Sequence, residues 1–129
     1  MNSKQRCEFY RLAPQFVVPD VVRSAEYYRD KFGFEILGYF LDPPVFAIVR
    51  RDGAEIHFGR SDKGEVKIND SVRLGLGTDA YIFVSDIQAL FDELTSSGAN
   101  IVDGPIKRPY DRTEITVKDE DGYQIVFGE

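Results

Sequence analysis

Two stretches of this chain follow one plan, and a repeated plan within 129 residues leaves few folds open. Residues 13–33 read APQFVVPDVVRSAEYYRDKFG, and residues 80–98 read AYIFVSDIQALFDELTSSG. Each holds a short apolar run, an Asp, an amphipathic stretch and a closing Gly. Asp20 and Asp86 stand 66 positions apart, and Gly33 and Gly98 stand 65 apart. That spacing divides the chain into two half-domains of about 60 residues. Two similar halves with a pocket between them are the expected result.

The local signals fill in the plan. Leu12–Val18 is rich in β-branched and aromatic residues and predicts a strand. Asp20 follows as an N-cap, because its carboxylate can accept from free helix N–H groups. Val21, Ala25, Tyr28 and Phe32 then make one helical stripe, which Gly33 ends. Strands are expected at Phe34–Phe40, Val45–Arg50 and Ala54–Phe58, separated by Pro43-Pro44 and Asp52-Gly53. The second half predicts a strand at Ala80–Val84, a cap at Asp86 and a stripe of Ile87, Leu90, Phe91 and Leu94, with a stop at Gly98. Strands follow at Ala99–Val102, Arg112–Lys118 and Tyr123–Phe127, the last pair turned by Asp121-Gly122. The fold class is therefore α+β, with paired βαβββ modules in one domain spanning 1–129. Module one covers about 10–60, a polar, Gly-rich linker about 59–78, and module two about 79–129.

Composition narrows the partners. A net charge of −6 and a pI near 4.8 argue against nucleic acid, which needs clustered positive surface. The one cysteine, Cys7, has no internal partner and sits far from the single histidine, so an inert thiol in a reducing cytoplasm is expected. No apolar run approaches the ~20 residues of a membrane span, and MNSKQRCEF lacks a signal-peptide core.

Strand alternation assigns the faces of each sheet. Ile56 and Phe58 oppose Glu55 and His57; Ile115 and Val117 oppose Glu114 and Thr116; Tyr123, Ile125 and Phe127 oppose Gln124 and Val126. The helical stripes need apolar partners, which leaves Glu55, His57 and Glu114 on the far side. The pattern predicts a cleft of mixed polarity lined by Gln15, Tyr39, Phe46, Glu55, His57, Tyr110 and Glu114, with Arg108 at its mouth. His57 reads either as a base or residual ligand, or as a hydrogen-bonded residue on a half-exposed strand. Glu55 reads the same way. Arg108 or Arg112 could clamp an anionic group and Tyr110 could stack on a planar one; the bland alternative is a solvated loop with local ion pairs. Arg50-Arg51 reads as a charged strand end.

VPDVVRSAEYYRDKFGFE (18–35), VSDIQALFDELTSSGANIV (84–102) and RPYDRTEITVKDEDGYQIVFGE (108–129) together resemble the vicinal oxygen chelate superfamily. That group includes glyoxalase I, extradiol dioxygenases and bleomycin resistance proteins, and the third segment is most similar to the bleomycin resistance branch. The resemblance implies paired βαβββ modules and a homodimer with cavities at its interface. In the superfamily's metal enzymes the ligand positions correspond here to Ala13, a residue near Ala80, and Val126, none of which can bind a metal. The fourth position lies in the strand of Glu55 and His57. The resemblance thus implies a metal-free protein that sequesters a drug-like or metabolite ligand, with no cofactor and no catalytic residue expected. The alternative is an enzyme of the glyoxalase or dioxygenase type with an unusual or absent metal site.

Overall fold

The computed structural model describes residues 5–129. Asp20 caps the first helix, α1 (Val21–Phe32), by accepting from the amides of Val22 and Arg23. Gly33 ends it at φ 71°, a left-handed conformation that glycine adopts without a Cβ penalty. Asp86 and Gly98 do the same for α2 (Ile87–Ser97). Around α1 stand β1 (Gln15–Val18), β2 (Glu35–Phe40), β3 (Phe46–Arg51) and β4 (Ala54–Arg60). Around α2 stand β5 (Ala80–Phe83), β6 (Asn100–Lys107), β7 (Thr113–Lys118) and β8 (Gln124–Gly128). The sheets have matching orders, β1-β4-β3-β2 and β5-β8-β7-β6. In each, the first strand runs parallel to the last and the other neighbours are antiparallel. This is the expected α+β pair of βαβββ modules.

The main departure is β6. It extends through Lys107, whereas the sequence suggests a strand ending at Val102. Past Val102 the strand absorbs Gly104 and Pro105 in register shifts around Asp103 and resumes pairing at Ile106. A Cβ on Gly104, at φ 90°, would run into the backbone carbonyl of Glu114, so only glycine lets β6 pass this close to β7. The segment joining the modules holds one short 3-10 turn, Asn69–Ser71, and exposes Val72, Leu74 and Leu76. No helix among the described residues is long and apolar enough to cross a membrane.

The helix-facing residues of both sheets join one core. Phe16, Val18, Val49, Ile56 and Phe58 of module one and Ile115, Val117, Ile125 and Phe127 of module two are all buried in it. The modules therefore pack through their helical sides. Phe32 of α1 meets Phe127 edge-on at 6.4 Å, and Phe16 stacks on Tyr123 at 4.3 Å. The fully buried Tyr28 donates its hydroxyl to Asp119 at 2.6 Å, tying α1 to the turn before β8. Arg51 donates to the Phe32 carbonyl at 3.0 Å and pairs with Glu93 of α2. It is a tie between modules, more than the charged strand end its sequence suggests. Because the helical sides face inward, the opposite face of each sheet, its open face, points away from the shared core.

Candidate functional site

The two open faces carry different side-chain sets. On the face of module one, Gln15 pairs with His57 across β1 and β4, and Ile48 pairs with His57 across β3 and β4. His57 Nε2 lies 2.7 Å from Glu55 Oε2, and Arg11 reaches Glu55 Oε1 at 3.2 Å. The hydrogen bond with His57 and the charge of Arg11 hold the Glu55 carboxyl below its ordinary value. Phe46 sits edge-on to the His57 ring at 5.4 Å, and Phe40 lies 6.0 Å from Phe46. Ile56 and Phe58 are buried beneath, as the alternation requires.

Tyr39 is the exception. The register of β2 shifts between Ile36 and Gly38, so Tyr39 pairs with the buried Ala47 and falls on the helix side. Burial raises its phenol, and the charges that act on it are Glu26, Arg29 and Asp20, on or beside α1. Phe40, one residue on, takes the open-face position expected of Tyr39. Simple alternation cannot register a bulge, so the sequence reading picks the wrong aromatic.

The open face of module two centres on Glu114, which is 3% exposed. Its Oε2 accepts from Tyr81 Oη at 2.7 Å and Tyr110 Oη at 2.6 Å. Its Oε1 accepts from Arg108 Nε at 3.1 Å, and Arg108 Nη2 donates to Asp103 at 2.8 Å. Burial alone would raise the Glu114 carboxyl, but the bonds from Tyr110, Tyr81 and Arg108 outweigh it and hold it below the ordinary value. Burial and the same carboxylate push the Tyr81 phenol up to about 12. Tyr110 is raised too, chiefly by its bond to Glu114. At neutral pH Glu114 is therefore a carboxylate beside two protonated phenols.

The backbone builds this cluster. Tyr81 lies on β5 and Glu114 on β7, with β8 between them. Gly128 of β8 pairs directly with Glu114. A Cβ on Gly128 would fall within 2.6 Å of Tyr81 Cζ, so the missing side chain is the furrow through which the Tyr81 ring crosses β8. Tyr81 also packs on Phe83 at 5.0 Å, and the Arg112 guanidinium lies 4.9 Å above the Phe83 ring.

Of the expected site residues, Gln15, Phe46, Glu55 and His57 gather on one face, while Arg108, Tyr110 and Glu114 gather on the other. No hydrogen bond, ion pair or aromatic contact among the described residues joins the two sets. Two clefts lie beside them. One, at the seam between modules, has Leu12, Pro14, Glu55, Tyr81 and Phe83 on its walls; the other borders Gln15, Lys63 and Tyr123. Tyr81 and Gly128 are absent from the sequence-derived set. Tyr81 alternates with Ile82 inside AYIF, so the face rule alone points it outward. Nothing local reports that Gly128 makes room for it.

The donor set does not fit a metal. The side chains of Val126 and Ala80 have no lone pairs to offer, and the Glu55–His57 pair is only two groups where a catalytic site needs at least three. Among the described residues no three His, Cys, Asp or Glu side chains converge.

The sequence model of the Glyoxalase/Bleomycin resistance protein/Dioxygenase superfamily matches residues 11–127. None of the curated proteins matches the chain. Among solved structures, TioX from Micromonospora sp. ML1 is 20% identical with a TM-score of 0.74, over 94% of this chain and 98% of that one. A bleomycin-binding protein from bleomycin-producing Streptomyces verticillus, solved with copper(II)-bleomycin, is 22% identical with a TM-score of 0.67, over 95% and 97%. TnmS3, an antibiotic-binding protein from Streptomyces sp. CB03234, is 16% identical with a TM-score of 0.72, over 96% and 98%.

Proposed function

From the Glyoxalase/Bleomycin resistance protein/Dioxygenase superfamily, to which this chain belongs, we propose that it is a binding member, a homodimer that sequesters a small drug-like or metabolite molecule. The observation that carries this is the division of the polar and aromatic side chains between two open faces, which among the described residues meet within one chain only at the seam cleft of Glu55, Tyr81 and Phe83. Each face holds half of a mixed-polarity lining, and a second copy supplies the other half. In this reading the face of Phe46, Glu55 and His57 meets the face of Tyr81, Arg108, Tyr110 and Glu114 of a second copy, and the pseudo-symmetric pairing gives two cavities. Val17, Phe40, Phe83 and Ile106 are exposed on these faces, apolar surface that pairing would cover. The likeness to bleomycin-binding and antibiotic-binding proteins supports the ligand class. The exposed Cys7 thiol suits a reducing cytoplasm.

The alternative is a glyoxalase- or dioxygenase-type enzyme with an unusual or absent metal site. Native mass spectrometry of the purified chain tests the proposal. The expected spectrum is a dimer that sheds a small-molecule adduct on activation, or takes one up from a cell extract. A species near 14.7 kDa at micromolar concentration, with no uptake, would refute it.

A further inference from the structure

Both phenols beside Glu114 have already spent their protons, and that decides what they can offer a ligand. An ionised carboxylate has no hydrogen to give, so the bonds at 2.7 Å and 2.6 Å run from Tyr81 and Tyr110 to Glu114. Each phenol has one O–H. Once it points at Glu114, the phenol oxygen has only lone pairs left, and donating to an anion strengthens them as acceptors. Neither residue is buried: Tyr81 is 37% exposed and Tyr110 62%, and both hydroxyls sit in part-buried contacts at the edge of the cluster. We propose that Tyr81 and Tyr110, with their hydroxyl protons held by the buried Glu114, form an acceptor pair that selects neutral, planar ligands bearing an O–H or N–H group. This deepens the small-molecule reading above and rests on it.

Charge does not explain the selection. Glu114 and Asp103 are balanced by Arg108, which pairs with both, and by Arg112 over Phe83. The formal charges of the four cancel, so a cation gains little over a neutral molecule. Tyr81 and Phe83 supply the adjoining flat apolar surface. The arrangement is built rather than incidental, since it needs glycine at both 104 and 128.

The test uses two neutral probes of one ring system, 2-naphthol, which donates, and 2-methoxynaphthalene, which cannot. Each is titrated into the full-length protein and followed by amide chemical shifts. The expected result is movement of the Gly104 and Gly128 amides, with 2-naphthol bound about tenfold more tightly, the value of one well-made hydrogen bond. In Glu114→Gln the amide can donate to one phenol and free that phenol's proton for the ligand, so the preference should shrink to about twofold or less. The wild-type ratio stands by itself if that variant fails to fold. Equal affinities in the wild type, an undiminished ratio in Glu114→Gln, or no shift with either probe would overturn the proposal. Equal binding at Gly128 would remove only the donor selection. A monomer with neither probe bound would remove the small-molecule reading as well.

Discussion

Tyr28→Phe should cost more stability at pH 8 than at pH 5, because the hydroxyl it removes serves a carboxylate that changes charge between them. Tyr28 is fully buried, and its hydroxyl donates to Asp119 Oδ2 at 2.6 Å. Asp119 Oδ1 accepts from the amides of Asp121 and Tyr123. Burial dominates the three hydrogen bonds and pushes the Asp119 carboxyl up from 3.8 to about 6. The native chain thus holds this proton more tightly than the unfolded chain does. Its contribution is fully present below 3.8 and is lost as the pH rises through about 6. The difference corresponds to about 3 kcal/mol across that window. At pH 8 the lost bond is charge-assisted and costs about 1.5–3 kcal/mol; at pH 5 it is neutral and costs about 1 kcal/mol. For a chain of this size the melting temperature should fall by roughly 5–9 °C at pH 8 and about 3 °C at pH 5.

Glu55 and Glu114 work in the opposite direction. Their folded values are lowered, so their contributions are present above the ordinary value and lost on acidification. Asp119→Asn isolates the Asp119 part, because its amide can donate to the Tyr28 oxygen while its carbonyl accepts from the two backbone amides. The stability of wild type relative to Asp119→Asn should fall between pH 4 and pH 7 by an amount on the order of 3 kcal/mol. Thermal unfolding from pH 4 to pH 8 reads both effects. Equal losses for Tyr28→Phe at the two pH values, or an unchanged pH slope in Asp119→Asn, would refute the reasoning.

Other outcomes follow from the same contacts. Gly128→Ala should swing the Tyr81 ring off Glu114 while leaving the fold intact, so the Tyr81 phenol should titrate well below about 12, read by carbon shifts of ring-labelled tyrosine; an unmoved titration would contradict the furrow. Phe127→Ala should cost about 3–5 kcal/mol in denaturant unfolding, because its ring is nearly buried and meets Phe32 across the seam between modules. A loss under about 1 kcal/mol would place the ring outside the shared core. Arg51→Ala should cost only about 1 kcal/mol, since Glu93 is half exposed and solvent screens the pair.

The doubled strand–Asp–helix–Gly plan carried the fold because each signal acts locally. Asp20 and Asp86 cap, Gly33 and Gly98 stop, and the stripes on α1 and α2 specify the helical sides. The same alternation put Glu55, His57 and Glu114 on open faces. It failed where an inserted residue or a distant absence decides the outcome. The bulge in β2 exchanged Tyr39 for Phe40. Gly104-Pro105, beyond the strand end expected at Val102, forms an irregularity inside β6 that carries Asp103 toward Arg108. Tyr81 reaches Glu114 only because Gly128, 47 positions later, has no side chain. The gathering of the expected residues into two sets depends on how the helical sides pack, a long-range result that no strand pattern contains.

Subunit mixing tests the composite cavity most directly. Phe46→Arg fills the open face of module one and Gly128→Leu fills that of module two; each alone should form dimers that do not bind 2-naphthol in equilibrium dialysis. Co-refolded in equal amounts, half of the dimers should be mixed, each with one intact cavity, so binding should return to about a quarter of the wild-type capacity. No recovery with mixed dimers present, or full binding by either variant alone, would place the site within a single chain and contradict the account.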